Sequence, residues 1–387
     1  MLLKRNENMS IYLDNSATTK PLPEVARLVY ETLSGEESYG NPGSLHRLGV
    51  LAEKNLNESS EKIAKLLSCK KDELYFTSCG SESVNTSIIG YVHQNPRAGK
   101  KIISTKTEHK ASLESLDKLA KEGYEICYIP VDATGKPDME ALYDAIDENT
   151  ALLTFTHVNN ETGAILPLEK IIEIRNKKNR NTKIHLDCVQ SLGKLPIALS
   201  RMGIDMASFS GHKIHALKGF GLLYIKTGVR VAPLILGGGQ QRGMRSGTQS
   251  PYLASAFSLA LEKATETIEE NLVKMQALRD EFAGKLEEVG TQVLSPKDAL
   301  PYVLNVSFPS FQSETMLHCL EEKDIFVSTV SACSSKTKKV SYVLTEMGIR
   351  REIAANAVRF SFSRFTTKEE LDATIDAVKQ IYERYKV

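Results

Sequence analysis

The segment best equipped for covalent chemistry is Ser208-Phe209-Ser210-Gly211-His212-Lys213, where two hydroxyls, a glycine, a histidine and a lysine close a β-rich run without a spacer. A lysine at a strand exit, close to an anion site, is a candidate Schiff-base residue, because burial lowers its pKa and frees the amine as a nucleophile. Lys218, just downstream, is assigned the usual solvated surface role. In His185-Leu186-Asp187-Cys188-Val189-Gln190 a carboxylate ends a strand-like run and an amide follows. Asp187 suits either a cationic ring nitrogen or a helix N-cap, and Gln190 suits a nearby oxygen. Thr77-Ser78-Cys79-Gly80-Ser81-Glu82 leads from a strand into a helical stretch and reads as an anion cradle or as a plain capped turn. The loop GGGQQRGMRSGT, residues 237–248, carries two arginines, a serine and a threonine, which favour an anion-facing or interface loop. Cys333 lies in Ser331-Ala332-Cys333-Ser334-Ser335, followed by Lys336, Lys338 and Lys339. Nearby cations favour the thiolate, which is the nucleophilic form.

Such groups need a frame. Short β-rich runs recur at Glu73–Thr77, Lys101–Ser104, Ile126–Val131, Ala151–His157, Lys183–Leu186, Met206–Ser210 and Gly221–Ile225, with helical stretches between most of them. This alternation predicts a mainly parallel sheet flanked by helices, and such sheets place ligands at the carboxyl ends of their strands. Helices are expected over 21–33 and around 60–67, and as one long or two consecutive helices over 252–289. The tail mixes strands, Val303–Phe308 and Val358–Phe362, with a closing helix. Thr367 and Glu370 suit a capping box for it, and Leu371, Ile375, Val378 and Tyr382 its apolar stripe.

Composition narrows the function. The 387 residues hold 49 Lys+Arg against 48 Asp+Glu, without the basic excess of a general nucleic-acid or membrane-surface binder. No apolar run approaches the ~20 residues of a spanning helix, and the first ten residues have no apolar core of a secretory signal. Residues 1–8 read as an extension before Met9. The six cysteines form no C-x-x-C pair, so no metal site is expected and a reducing cytoplasm is.

Together and in this order, the motifs YLDNSATTK (12–20), NPGSLH (41–46), TEHKA (107–111), HVNNETG (157–163), HLDCVQSLGK (185–194), SFSGHKIH (208–215), GGGQQRGMRSGT (237–248), SACSS (331–335) and VRFSFSRFTT (358–367) resemble the pyridoxal-phosphate-dependent cysteine desulfurases. These form the NifS-like branch of the class V aminotransferase group. The resemblance runs from Tyr12 to about Lys368. It implies a fold-type-I α/β enzyme whose large domain has a mainly parallel seven-stranded sheet, over 16–261. A smaller α+β domain would combine 1–15 with 262–387 and carry the Cys333 loop.

The resemblance also assigns roles. Lys213 is implied to bond the cofactor aldehyde, Asp187 to pair with the ring nitrogen, and Gln190 to meet the phenolic oxygen. His109 is implied to stack on the ring and assist proton transfer. Gly80, Ser81, Ser210 and His212 are implied to hold the phosphate, with Thr248 reaching it from a second subunit. Arg359 is implied to grip the substrate carboxylate with Asn160, and Cys333 to attack the substrate sulfur. The implied reaction takes sulfur from L-cysteine, leaves L-alanine, and parks a persulfide on Cys333. An acceptor protein then takes the sulfur for iron–sulfur assembly, tRNA thiolation or thiamine synthesis. The enzyme is expected to be a cytoplasmic homodimer without direct nucleic-acid or membrane contact. Two rivals remain: a selenocysteine lyase, less dependent on Cys333, and a degenerate scaffold for sulfur transfer. Departures from the family's common pattern are Cys79-Gly80-Ser81, Val84, the run His215-Ala216-Leu217-Lys218-Gly219, Gln241 and Gln249-Ser250. The His215 run is expected to affect the backbone just after Lys213.

Overall fold

The computed structural model describes residues 10–329 and 340–385. Cys333 and the 1–8 extension lie outside them. In chain order the strands are β1 (Ile11–Tyr12), β2 (Leu74–Thr77), β3 (Lys101–Thr105), β4 (Glu125–Ile129), β5 (Thr150–Thr156), β6 (Lys183–Asp187) and β7 (Met206–Ser210). They continue as β8 (Gly221–Ile225), β9 (Gln292–Val293), β10 (Val303–Ser307), β11 (Ile325–Phe326), β12 (Ser328–Thr329) and β13 (Ala357–Ser361).

The seven recurrent β-rich runs form one seven-stranded sheet in the order β2-β8-β7-β6-β5-β3-β4. All neighbours are parallel except β8, which runs antiparallel to both β2 and β7. The central strands bury both faces, as parallel strands covered by helices on both sides must. Hence β5 reads TALLTFT and β8 GLLYI, with Leu152, Leu153, Phe155, Leu222 and Leu223 all in the interior.

The expected helix over 21–33 forms at Pro23–Ser34, and the 60–67 signal is the end of a longer helix, Arg47–Leu66. The long stretch 252–289 is two helices, Pro251–Thr265 and Ile268–Glu288. The second contributes Met275, Phe282 and Leu286 to a separate apolar core. There Phe282 meets Phe360 and Phe362 edge-on, at centroid distances of 5.3 and 5.9 Å. That core lies under an antiparallel sheet of order β12-β13-β10-β9. The closing helix, Lys368–Arg384, has the anticipated capping box: Thr367 N–H donates to Glu370 Oε2 (2.9 Å) and Glu370 N–H to Thr367 Oγ1 (3.2 Å). Leu371, Ile375 and Val378 of its stripe are buried.

The edge of the large sheet away from the strand exits is held by a buried ion pair. Arg175 Nη1 meets Asp205 Oδ2 at 3.4 Å, and the same guanidinium donates to the carbonyls of Thr182 and Gly203, both at 2.9 Å. Asp205 in turn accepts from Ile184 N–H (3.0 Å), at the start of β6. Removing the guanidinium takes the donor from two carbonyls and leaves Asp205 with the partly exposed Lys183, whose Nζ lies 3.3 Å from Oδ1, as its remaining cation. Arg175→Met is therefore expected to lower folding stability by about 3 kcal/mol in denaturant titration, while turnover per folded molecule stays at the wild-type level.

Candidate active site

Strand register gathers the candidate residues. Asp187 ends β6, and Lys213 lies in the turn Gly211–Lys213 directly after β7. These strands are parallel neighbours, with Asp187 opposite Ser208. Thr77 of β2 and Ser210 of β7 both pair with Gly221 of β8, so the start of the next helix at Gly80 is drawn against the end of β7. A Cβ on Gly80 would stand 2.9 Å from Val189 Cγ2 and 3.3 Å from Ser210 Cβ, so only glycine fits without displacing its neighbours. That helix start has no side-chain cap, and among the described residues the Ser81 and Ser210 hydroxyls make no hydrogen bond. Free N–H groups and hydroxyls at a helix start suit an anion such as phosphate.

Lys213 is the focus. Its Nζ donates to the carbonyls of Ser16 (2.5 Å) and Ala17 (2.6 Å), nearly two hundred residues away in sequence. Burial pushes its pKa down to about 8; Arg359 adds to this, and Asp14 and Asp187 oppose it. Asp187 is buried and its carboxyl is pushed up, first by burial; His109 and Lys213 pull it back. Its Oδ1 accepts from Val189 N–H at 3.0 Å, so it does cap the following turn while facing the lysine. Gln190 donates from Nε2 to Ser16 O (3.0 Å), the same carbonyl that receives Lys213. His212 bonds Thr18 Oγ1 through Nδ1 (3.1 Å), and burial pushes it down to about 4, so it is neutral at pH 7. His109 caps the helix Lys110–Lys121, accepting from Ala111 N–H at Nδ1 (3.1 Å), with its ring exposed.

Arg359, in the middle of β13, is buried. Nη1 donates to Asn160 O (3.0 Å) and Nη2 to Asp14 Oδ1 (2.7 Å), leaving Nε a buried donor without a partner. Thr248 is exposed and makes no contact with these groups. In the glycine-rich loop, Arg245 pairs with Glu82 (3.0 Å), and Arg242 donates to the carbonyls of Asp72 and Leu74. Both arginines brace the loop against residues far upstream in the chain. Gln241 pairs both edges of Phe76, accepting from its N–H (2.5 Å) and donating to its carbonyl (2.7 Å), which a carboxylate could not do. Two residues after Lys213, His215 adopts a left-handed φ of 67°. It is held by Thr19 Oγ1, which accepts from His215 N–H (2.8 Å), and by its Nδ1 bond to Lys20 O (2.8 Å).

Sequence reasoning gave no role to three charged groups that the fold brings here: Asp14, Glu108 and Lys194. Each lies inside a motif quoted above. Glu108 is buried beside Asp187, with Oε1 accepting from Thr105 Oγ1 (2.7 Å) and Oε2 unpaired; burial pushes it up to about 7. For Asp14 and Lys194 the available signal was a charged residue inside a run of mostly apolar or small residues; Glu108, between Lys106 and Lys110, carried none.

A mainly parallel sheet with a desolvated lysine and a buried carboxylate leaving adjacent central strands defines a fold-type-I pyridoxal-phosphate enzyme. The chain belongs to the aminotransferase class V family, whose profile matches residues 11–374. It is 39% identical over 377 residues to a cysteine desulfurase IscS of Serratia proteamaculans, covering 96% of this chain and 92% of that protein. A solved NifS-like protein superposes with a TM-score of 0.92 at 37% identity, covering 97% of this chain and all of that one. A NifS-like protein from Rickettsia africae superposes at 0.86 with 29% identity, covering 97% of this chain and 100% of that one. The cofactor is pyridoxal 5′-phosphate, and the donor set fits it: an uncapped helix start with free hydroxyls for phosphate, Asp187 for the ring nitrogen, and the Lys213 amine for the aldehyde.

The lowered pKa of Lys213 gives a pH prediction. The protonated fraction falls through about pH 8, against about 10.4 for an unperturbed lysine, so the reactive free amine accumulates as pH rises through 8. In cofactor-free protein, amine acylation mapped to Lys213 by mass spectrometry is expected to rise with a midpoint near 8. A midpoint near that of surface lysines would remove the desolvated-amine assignment.

Proposed function

We propose that this chain is a cysteine desulfurase that removes sulfur from L-cysteine, releases L-alanine and carries the sulfur as a persulfide on Cys333. The observation that carries this reading is the convergence of the desolvated Lys213 amine, the Asp187 carboxylate and the Arg359 guanidinium on one site. The IscS relatives and NifS-like structures support it.

When bound, pyridoxal phosphate supplies an electron sink conjugated to the substrate α-carbon. The protein does the rest. Gly80, Ser81, Ser210 and the neutral His212 hold the phosphate, Asp187 keeps the ring nitrogen protonated, and Gln190 meets the phenolic oxygen. Arg359 orients the substrate α-carboxylate, with Asn160 beside it, and His109 covers the ring. Lys213, released when substrate arrives, takes and returns the proton at the substrate α-carbon. The Cys333 thiolate attacks the substrate Sγ: a sulfur–sulfur bond forms as the Cβ–S bond breaks. The electron pair stays on the substrate carbon, which is then protonated to the methyl group of alanine. A thiol on an acceptor protein takes the outer sulfur by exchange.

Thr248 completes the phosphate site of a second copy in this reading. Its exposure and the exposed Leu234, Ile235 and Leu236 at the head of the same loop support a homodimer. The separation of the apolar clusters packed on the large sheet from the one drawn mainly from residues 275–381 supports a large domain over 16–261 and a small one from 1–15 and 262–387. Among the described residues no helix is long and apolar enough to cross a membrane, and the five described cysteines are free, which favours the reducing cytoplasm.

Purified protein is expected to show a visible band that changes on adding L-cysteine, with alanine formed. Lys213→Ala should lose the band and turnover. Cys333→Ser should keep the band and its response to cysteine but form no persulfide. Persulfide on another cysteine would move the nucleophile, and full release of selenium from selenocysteine by Cys333→Ser, with no activity on cysteine, would favour the lyase. Arg359→Ala is expected to raise KM for cysteine about 10- to 100-fold, the ~1.5–3 kcal/mol of a charged hydrogen bond. An unchanged KM would place the carboxylate elsewhere.

A further inference from the structure

Lys194 is a second buried amine in this site, and none of the roles above uses it. Gly193, at φ 68°, turns the chain so that Lys194 points inward, and a Cβ there would stand 2.7 Å from Ala264 Cβ. The amine lies in a small cavity shared with Thr19, Lys213, His215, Tyr302 and Arg364, 5.8 Å from the Tyr302 ring centroid. Its one hydrogen bond among the described residues is to Gln190 Oε1, at 3.2 Å. No carboxylate pairs with it there. Among the described residues the charged groups around it are all cations: Arg364 lines the same cavity, and Lys213 and Arg359 push its pKa down further after burial, to about 7. His215, neutral at pH 7, and Tyr302, pushed up to about 12, complete the wall.

A buried cation with no anionic partner needs a reason. An amine or ammonium offers N–H donors to Gln190, and the amide must turn its oxygen toward them. Nε2 then faces the opposite way, to the Ser16 carbonyl that also receives Lys213.

We propose that Lys194 is a positioning residue: by holding Gln190 Oε1 it fixes the amide so that Nε2 is the atom presented to the cofactor's phenolic oxygen. This rests on the pyridoxal-phosphate reading above. Loss of that N–H donor from an anionic oxygen raises the proton affinity of the loaded site.

The test is the pH midpoint of the visible band of the loaded protein in wild type, Lys194→Met, Gln190→Ala and the double variant. Wild type is the control for the cofactor itself: no band on adding pyridoxal phosphate defeats the underlying reading rather than this one. Lys194→Met, with wild-type circular dichroism, is expected to move the midpoint upward by about one unit, a tenfold change in proton affinity. Gln190→Ala should move it the same way, and the double variant no further. An unmoved midpoint in Lys194→Met, or additive shifts in the double variant, overturns the proposal. Should Lys194→Met not fold, Lys194→Arg carries the test. It keeps a donor, so a wild-type midpoint is expected, and a displacement of one unit overturns the proposal.

Discussion

The constraint on which the site depends is the removal of one amine from water. Lys213 can be desolvated only because two backbone carbonyls, Ser16 and Ala17, take its protons. Those carbonyls belong to the segment that follows β1, and the segment is fixed at both ends. At one end Ser16 N–H donates to Ser361 Oγ (2.8 Å), Asn15 Nδ2 to Ser361 O (3.0 Å) and Ser361 N–H to Leu13 O (2.7 Å). At the other, Thr19 spans the lysine turn, donating from Oγ1 to His212 O (3.0 Å) and accepting from His215 N–H (2.8 Å). The strap thus ties β13, which carries Arg359, to the exit of β7, which carries Lys213. Lys213 and Arg359 keep their spacing through this one short stretch of backbone.

The charges around the strap are balanced without being neutralised pair by pair. Burial opposes ionisation at Asp187, Glu108, Lys194 and Lys213 alike, raising the acids and lowering the bases. A site of this kind holds several protons close to pH 7 and can move one at little cost. That is what proton transfer at a substrate α-carbon demands. His185, two residues before Asp187 in the chain, and His157, whose backbone N–H donates to Asp187 O (2.9 Å), stand apart from this set. His185 is hydrogen-bonded on both nitrogens, to Thr154 and Ser208, and burial holds both histidines neutral. They are packing residues of a polar interior.

Much of this was legible in the sequence because strand exits are local. The β-rich runs, their order, and the placing of Asp187 and Lys213 at carboxyl ends follow from alternation of apolar runs with polar stretches. The capping box at Thr367 is equally local. What stayed hidden is the set of contacts between residues remote in the chain. Nothing in YLDNSATTK says that its carbonyls receive Lys213, or that Asp14 meets Arg359, because those contacts are made by backbone and by register between β1, β11 and β13. Lys194 was hidden for a different reason: a lysine after a glycine reads as a surface turn until its burial is known. The contacts of the two arginines in the glycine-rich loop were hidden in the same way as those of YLDNSATTK, since their partners, Glu82 and the carbonyls of Asp72 and Leu74, lie far upstream.

If Arg359 receives the substrate carboxylate, as proposed above, its resting contacts bear on selectivity. Both terminal nitrogens are already engaged, one by a neutral carbonyl and one by the Asp14 carboxylate. An arriving carboxylate meets a guanidinium whose orientation is fixed and whose charge is half-compensated, with Nε–H as the donor still unspent. To gain a two-point grip the substrate must share or displace Asp14, and displacement returns a carboxylate to a partly buried place. Binding is thereby weakened relative to a bare arginine, but the geometry is set before the substrate enters. A ligand lacking the α-carboxylate cannot disturb the Asp14 pair at all. Under the proposed function such a site would spend affinity on discrimination, which would suit a substrate that differs from other small thiols chiefly in carrying both an amine and a carboxylate on one carbon.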